Sequence, residues 1–190
     1  MSSFIETPSD GRIESLGGLI LLGFAFDERP TVAAHMDLVR RKFYGRSWLL
    51  RHLKQAGVPL SDIAKIYAAV IRSVIEYAAP VYGPMMSGVQ SEELERLQRQ
   101  SLKLIYGYRT SYSKALELAG LKSLSERRDD IMKKFAQKLT VKERFDQWLP
   151  KTGPDLHGLR KTKTYREEHA NTDRLYKSPL FTIRRLLNEG

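Results

Sequence analysis

RRKFYGRSWLLRHLK, Arg40–Lys54, holds six Arg or Lys side chains and three aromatic rings and no acid. Placed at 100° steps with the residues before it, Val32, Met36, Val39, Phe43, Leu50 and Leu53 share one arc. Arg40, Tyr44, Trp48 and Arg51 cluster on the other side within about a quarter turn, with Arg41 beside them. The spacing predicts a long amphipathic helix whose apolar arc faces a core. Thr31 after Pro30 is the expected N-cap, and Gly57 the expected stop.

Upstream, Arg12–Ser15, then Gly17 and Gly18, then the apolar run Leu19–Phe26 are expected to form a β-hairpin turning at the glycine pair. Gly23 inside the second strand suggests a bulge or a close backbone approach. Downstream, Ser61 is the expected cap of a second helix. Its residues Ile63, Ile66, Tyr67, Val70, Ile71, Val74 and Ile75 leave only Asp62, Lys65, Arg72 and Glu76 as a polar stripe, so it belongs in the middle of a bundle. Arg72 and Glu76 are spaced to pair across one turn at the wet edge. The stretch APVYGPMMSG breaks the helical pattern.

A third helix is expected from about Val89 to Tyr106, with Gly107 as its stop. Ser111 caps a fourth that ends at Gly120, Ser123 with Glu126 forms a capping box for a fifth, and Thr140 with Glu143 repeats that spacing before Phe145 and Trp148. After Pro150, apolar periodicity fades until SPLFTIRRLLN at Ser178–Asn188, a candidate docking end. The expected fold is therefore mainly α. A short β-hairpin in 1–30 precedes a multi-helix bundle over 31–149, and a poorly ordered basic C-terminal tail follows in 150–190.

The 190 residues, 42% of them hydrophobic, suffice for one real core. The absence of cysteine excludes disulfides, thiolate zinc sites and cysteine nucleophiles. Histidines 35, 52, 157 and 169 are too scattered for a zinc spacing. No run of about 18 apolar residues occurs, so no bilayer span is expected. The start, MSSFIETPSDGR, lacks the basic and apolar regions of a secretory signal, which points to an intracellular protein, nuclear or cytoplasmic.

The net charge of +10 favours a polyanionic partner. It is uneven: residues 1–30 carry a net charge of −3 and residues 31–60 a net charge of +5. Guanidinium groups interleaved with aromatics can pair bidentately with phosphate while the rings stack on bases. The same pattern also suits a helical protein-interaction scaffold in which Tyr44 and Trp48 are packed under the tail or a partner. Both readings stay open on the pattern alone. A membrane-surface helix ranks below them, since the aromatics lie on the basic side rather than beside the apolar stripe.

Arg96, Arg99 and Lys103, spaced three and four apart, make a second basic stripe, although such stripes are often only solvated faces. Arg127 and Arg128 open the fifth helix where the macrodipole disfavours cations, and local pairing with Asp129 and Asp130 is the simplest expectation. No GxSxG, P-loop or HExxH occurs. Asp27 and Glu28 fit turn acids, Glu76 a structural role, and His157 and His169 solvated tail positions.

The ordered succession LLGFAFD, KFYGR with LLRHL, IYAAVIRSVIEYAAPVYGP, LERLQRQSLKLIYG and LKSLSERRDD resembles the C-terminal part of non-LTR (LINE-type) retrotransposon reverse transcriptases. The similarity runs roughly from Leu19 to Lys138, with an echo in DRLYKSPLFTIRRLLN. It implies that Leu22 and Gly23 belong to a primer-grip-like hairpin and that the following helices are thumb-like and hold RNA, DNA or an RNA-DNA hybrid. The implied nucleic-acid-binding residues are Arg40, Arg41, Tyr44, Trp48 and Arg51, with Arg96, Arg99 and Lys103 adding phosphate contacts. The palm motif with paired aspartates is not matched, and neither is the zinc knuckle of many relatives. A fragment inactive as a polymerase on its own is therefore expected, with no cofactor; Mg²⁺ would serve only an intact parent polymerase, whose palm and fingers would be a further partner.

Overall fold

The computed structural model describes residues 4–6, 12–14, 18–27, 31–152, 163–167 and 169–189. Two antiparallel hairpins come first. Strands β1 (Phe4–Glu6) and β2 (Arg12–Glu14) pair with each other, and β3 (Gly18–Leu21) pairs with β4 (Phe24–Asp27).

The expected pairing across Gly17 and Gly18 is corrected. Leu21 lies opposite Phe24, so the reversal is the two-residue loop Leu22–Gly23, with φ of 49° and 79°. Two successive positive φ angles match the right-handed strand twist, which is why such primed turns close short hairpins. Gly23 adopts its angle freely, whereas Leu22 does so at a cost of about 1 kcal/mol. Tyr77 secures the loop: its hydroxyl donates to the Leu22 carbonyl, and its ring would lie 3.3 Å from a Cβ at position 23.

Helix α1, Ala33–Gln55, follows. Val32 occupies its N-cap, one residue beyond Thr31, whose hydroxyl accepts from the Ala33 N–H at 3.4 Å. Its far end closes as expected. The Val58 N–H donates to the Leu53 carbonyl and the Gly57 N–H to that of Lys54, with Gly57 at φ 77°. Val32, Met36, Val39, Phe43 and Leu50 are buried and Leu53 packs beside them, as their spacing predicts.

The second helical segment begins after Pro59 rather than Ser61. It runs as α2 (Leu60–Ile66), widens into a π-helical stretch over Tyr67–Arg72, and returns to α-helix as α3 (Ser73–Glu76). Wider turns closed by i→i+5 hydrogen bonds slow the rotation of the face. Arg72, expected at the wet edge, is thereby carried inward and buried. Its Nε lies 2.6 Å from a Glu76 carboxylate oxygen, off the hydrogen-bonding direction. Ala78 in the left-handed region turns the chain into α4 (Ala79–Tyr82) and a 3-10 turn, Gly83–Met85, within the predicted break.

Helices α5 (Gly88–Tyr106), α6 (Tyr112–Ala119) and α7 (Leu124–Thr140) complete the bundle. Ser87 with Gln90 and Ser123 with Glu126 form capping boxes, and Ser111 caps α6 through the Lys114 N–H. The repeat of that motif at Thr140 and Glu143 does not form. Thr140 is the last residue of α7, and its hydroxyl donates to the Gln137 carbonyl instead. The local pairing expected at the start of α7 is also corrected. Arg127 reaches across to Glu76 through Nε and Nη2, at 3.1 and 3.2 Å, while Arg128 donates to the Ser91 hydroxyl and Asp130 pairs with Lys122.

Leu94, Leu97, Leu102, Ile105 and Leu124 join the α1 and α2 residues in the main core. The docking end expected at Ser178–Asn188 is a helix. After the short α8 (Asp173–Tyr176), α9 (Pro179–Glu189) packs against α7, and Ile183 with Met132, Ala136, Leu139 and Leu149 forms a smaller second core. Arg184 donates to the Trp148 carbonyl through Nε and Nη2.

His35 lies where the hairpin meets α1. It is 1% exposed, stacked 4.2 Å from the Phe24 ring of β4 and tilted against Tyr82 of α4, and neither ring nitrogen has a hydrogen-bond partner among the described residues. Lys42 and Arg46 of α1 and Ser73 and Tyr77 line the adjoining cavity of about 330 Å³. Burial, helped by the Lys42 charge, lowers the His35 pKa from 6.5 to about 4. The unfolded chain therefore binds a proton between those values that the folded chain refuses. Stability is full above pH 6.5 and falls toward pH 4, by as much as about 3 kcal/mol. His35→Phe should flatten that limb of a pH series of urea melts; an unchanged slope would remove His35 as its source.

Candidate nucleic-acid interface

The face of α1 opposite the core lies open. Tyr44 and Trp48 are each 55% exposed, and Arg41 and Arg51 are exposed beside them. Neither ring is covered by the C-terminal segment among the described residues. Each is braced from its own helix: Phe43 meets Tyr44 edge-on at 5.3 Å, and His52 meets Trp48 at 5.0 Å with rings nearly perpendicular. The His52 Nδ1 is also 3.0 Å from the Trp48 carbonyl. Neither aromatic therefore hangs freely.

Where α1 packs on α5, an open groove of about 1030 Å³ brings Arg40, Arg41 and Tyr44 together with Arg96. Asp37 and Glu93 line the same groove. Both carboxylates pair with Arg40, whose pKa is raised by its hydrogen bonds to Asp37 and then Glu93. Arg40 thus links α1 to α5 and has little charge to offer a ligand. Arg41, Arg51 and Arg96 form no ion pair among the described residues.

The stripe Arg96, Arg99, Lys103 is not one surface. Arg99 turns toward α6, 3.2 Å from Glu92 and with its guanidinium carbon 5.0 Å from the centroid of the Tyr112 ring. Lys103 is half-buried near the end of α5. Leu22 and Gly23 occupy the tip of the β3–β4 hairpin, where Leu22 is 83% exposed.

Sequence reading missed Lys54, whose Nζ donates to the Leu104 and Ile105 carbonyls at 3.0 and 2.8 Å and so satisfies the end of α5. It also missed Arg46, which reaches the Val70 carbonyl at 2.8 Å across the widened turn. The Asp37–Arg40 spacing was a usable local signal. Nothing local marked Glu93, Lys54 or Arg46, because their partners come from other elements.

No family model, curated protein or solved structure matches the chain. The assignment of a role therefore rests on the residues themselves. No group of three or more His, Asp or Glu side chains converges among the described residues, and no helix among them is long and apolar enough to cross a membrane. Of the acids considered in the sequence, Asp27 ends β4 and Glu28 lies outside the described residues, as does His157. What remains is a surface of rings and guanidinium groups suited to π-faces and phosphates together.

Proposed function

We propose that the chain binds nucleic acid as the thumb-like segment of a LINE-type reverse transcriptase, without polymerase activity of its own. The observation that carries this reading is the exposed, braced pair Tyr44 and Trp48 flanked by Arg41, Arg51 and Arg96, none of them neutralised by an acid among the described residues. The ordered motifs from Leu19 to Lys138 support the thumb-like placement. The exposure of both rings disfavours the rival in which they are buried under the chain's own tail.

Three uncommitted arginines set the expected electrostatics. If each neutralises one phosphate, affinity falls about 20- to 40-fold between roughly 50 and 200 mM salt. Filter binding with RNA, DNA and hybrid probes measures this; salt-independent binding, or none, would sink the proposal. Replacing Arg41, Arg51 and Arg96 together by Ala should abolish that slope at unchanged melting temperature. Arg40 is left out of that variant because it links α1 to α5. Primer extension with Mg²⁺ should give no product.

A further inference from the structure

Resting on the nucleic-acid reading, we infer that the α1 face accepts unpaired, splayed bases of a single strand in preference to a duplex. Tyr44 and Trp48 are four residues apart on one helix, an axial rise of about 6 Å. Bases in a duplex strand are stacked about 3.4 Å apart with their faces closed against each other. A base can lie on each ring only if the stack between them is opened, which a free strand does at small cost and a duplex does not. Arg41 and Arg51 flank the rings at the spacings that place helix residues side by side, so a backbone running along α1 meets a cation at each end.

Gly45 supplies an independent observation. It lies in the interior of a 23-residue helix, on the exposed side, four residues after Arg41 and three before Trp48. A Cβ built there meets nothing within 4 Å. No turn, positive φ or helix packing accounts for a residue that weakens a helix relative to Ala. The result is bare backbone on the exposed side of α1, one turn before Trp48, a relief that lets a sugar or base approach the helix closely.

The test uses the full chain carrying Trp148→Phe, which leaves Trp48 as the sole indole, since the chain has two tryptophans. Fluorescence is titrated with single-stranded oligodeoxythymidine about twelve nucleotides long and with a blunt RNA-DNA hybrid of equal length. The expected result is at least about tenfold tighter binding of the single strand, with strong quenching of Trp48. Gly45→Gln should raise the melting temperature yet weaken single-strand binding about tenfold, because a better helix former fills the cleared space. Equal or tighter hybrid binding, single-strand binding without quenching, or an unaffected Gly45→Gln variant would overturn the inference while leaving the thumb-like reading in place. Failure of both probes to bind would overturn both and leave the face to a protein partner.

Discussion

Glu76→Ala is expected to cost about 3–5 kcal/mol of unfolding free energy, because it strands a buried guanidinium. Arg72 is 4% exposed, and its ion pair is with Glu76 on the next turn. The same carboxylate accepts two hydrogen bonds from Arg127, whose pKa it raises, and so ties α3 to α7. Removing it leaves Arg72, almost wholly buried, without its counter-ion. Its Coulomb attraction alone is a poor guide, since burying either charge carries a penalty of several kcal/mol. A double variant separates the two effects. Arg72→Met with Glu76→Leu fills the same space without charge and should recover to within about 1 kcal/mol of the parent. Arg127 tolerates the loss, being 38% exposed along its side chain. Urea melts of the three proteins decide the matter; a loss below about 1 kcal/mol for Glu76→Ala would show that Arg72 reaches water.

Glu95→Ala should cost about 2–4 kcal/mol, through a hydrogen-bond network rather than an ion pair. Glu95 is 9% exposed on α5, and both its oxygens accept from the Leu124 N–H, at 3.2 and 3.1 Å. That N–H belongs to the first turn of α7, so the carboxylate also sits favourably against the helix dipole. Tyr112 donates its hydroxyl to Glu95 and accepts from Gln98 at 2.9 Å. Gln98 in turn donates to the Lys122 carbonyl and accepts from Tyr67. Burial, followed by the hydrogen bond to Glu95, pushes the Tyr112 pKa up, so its proton stays in place across the ordinary range. Truncation orphans a backbone donor and a hydroxyl in the interior. Glu95→Gln keeps one acceptor and should lose roughly half as much. Hydrogen exchange at the Leu124 amide distinguishes this mechanism from a general loss of packing, since protection there should collapse first in the Ala variant.

These two sites show where local reading stopped. Glu76 was recognisable as structural and as a partner for Arg72, but its burial was not. Regular 100° steps place Arg72 in the polar stripe, and only the widened turn over Tyr67–Arg72 swings it inward. Arg127 likewise had adjacent acids to satisfy it, yet the packing of α7 on α4 and α5 sets it across from Glu76. Gln98 and Glu95 carried no signal at all, because a polar residue inside an amphipathic helix is ordinarily solvated. At the hairpin, two adjacent glycines suggested the turn more strongly than Leu22 and Gly23. The strand pairing chose the latter, and a leucine accepts a left-handed angle there under the Tyr77 hydroxyl.

Spacing and residue type alone were enough for the mainly helical architecture, the capping of α6 and α7 at Ser111 and Ser123, the glycine stops, and the division of α1 into a buried and a basic aromatic face. Those features depend on neighbours within about one helical turn, where geometry follows from spacing. Which cations stay uncommitted depends on packing between elements. Arg40 is held by Asp37 and Glu93, Arg99 by Glu92 and Tyr112, and Arg46 and Lys54 by carbonyls of other helices, whereas Arg41, Arg51 and Arg96 form no ion pair among the described residues. Charge is a property of composition, but its availability depends on which acceptors the packed chain brings within hydrogen-bonding distance.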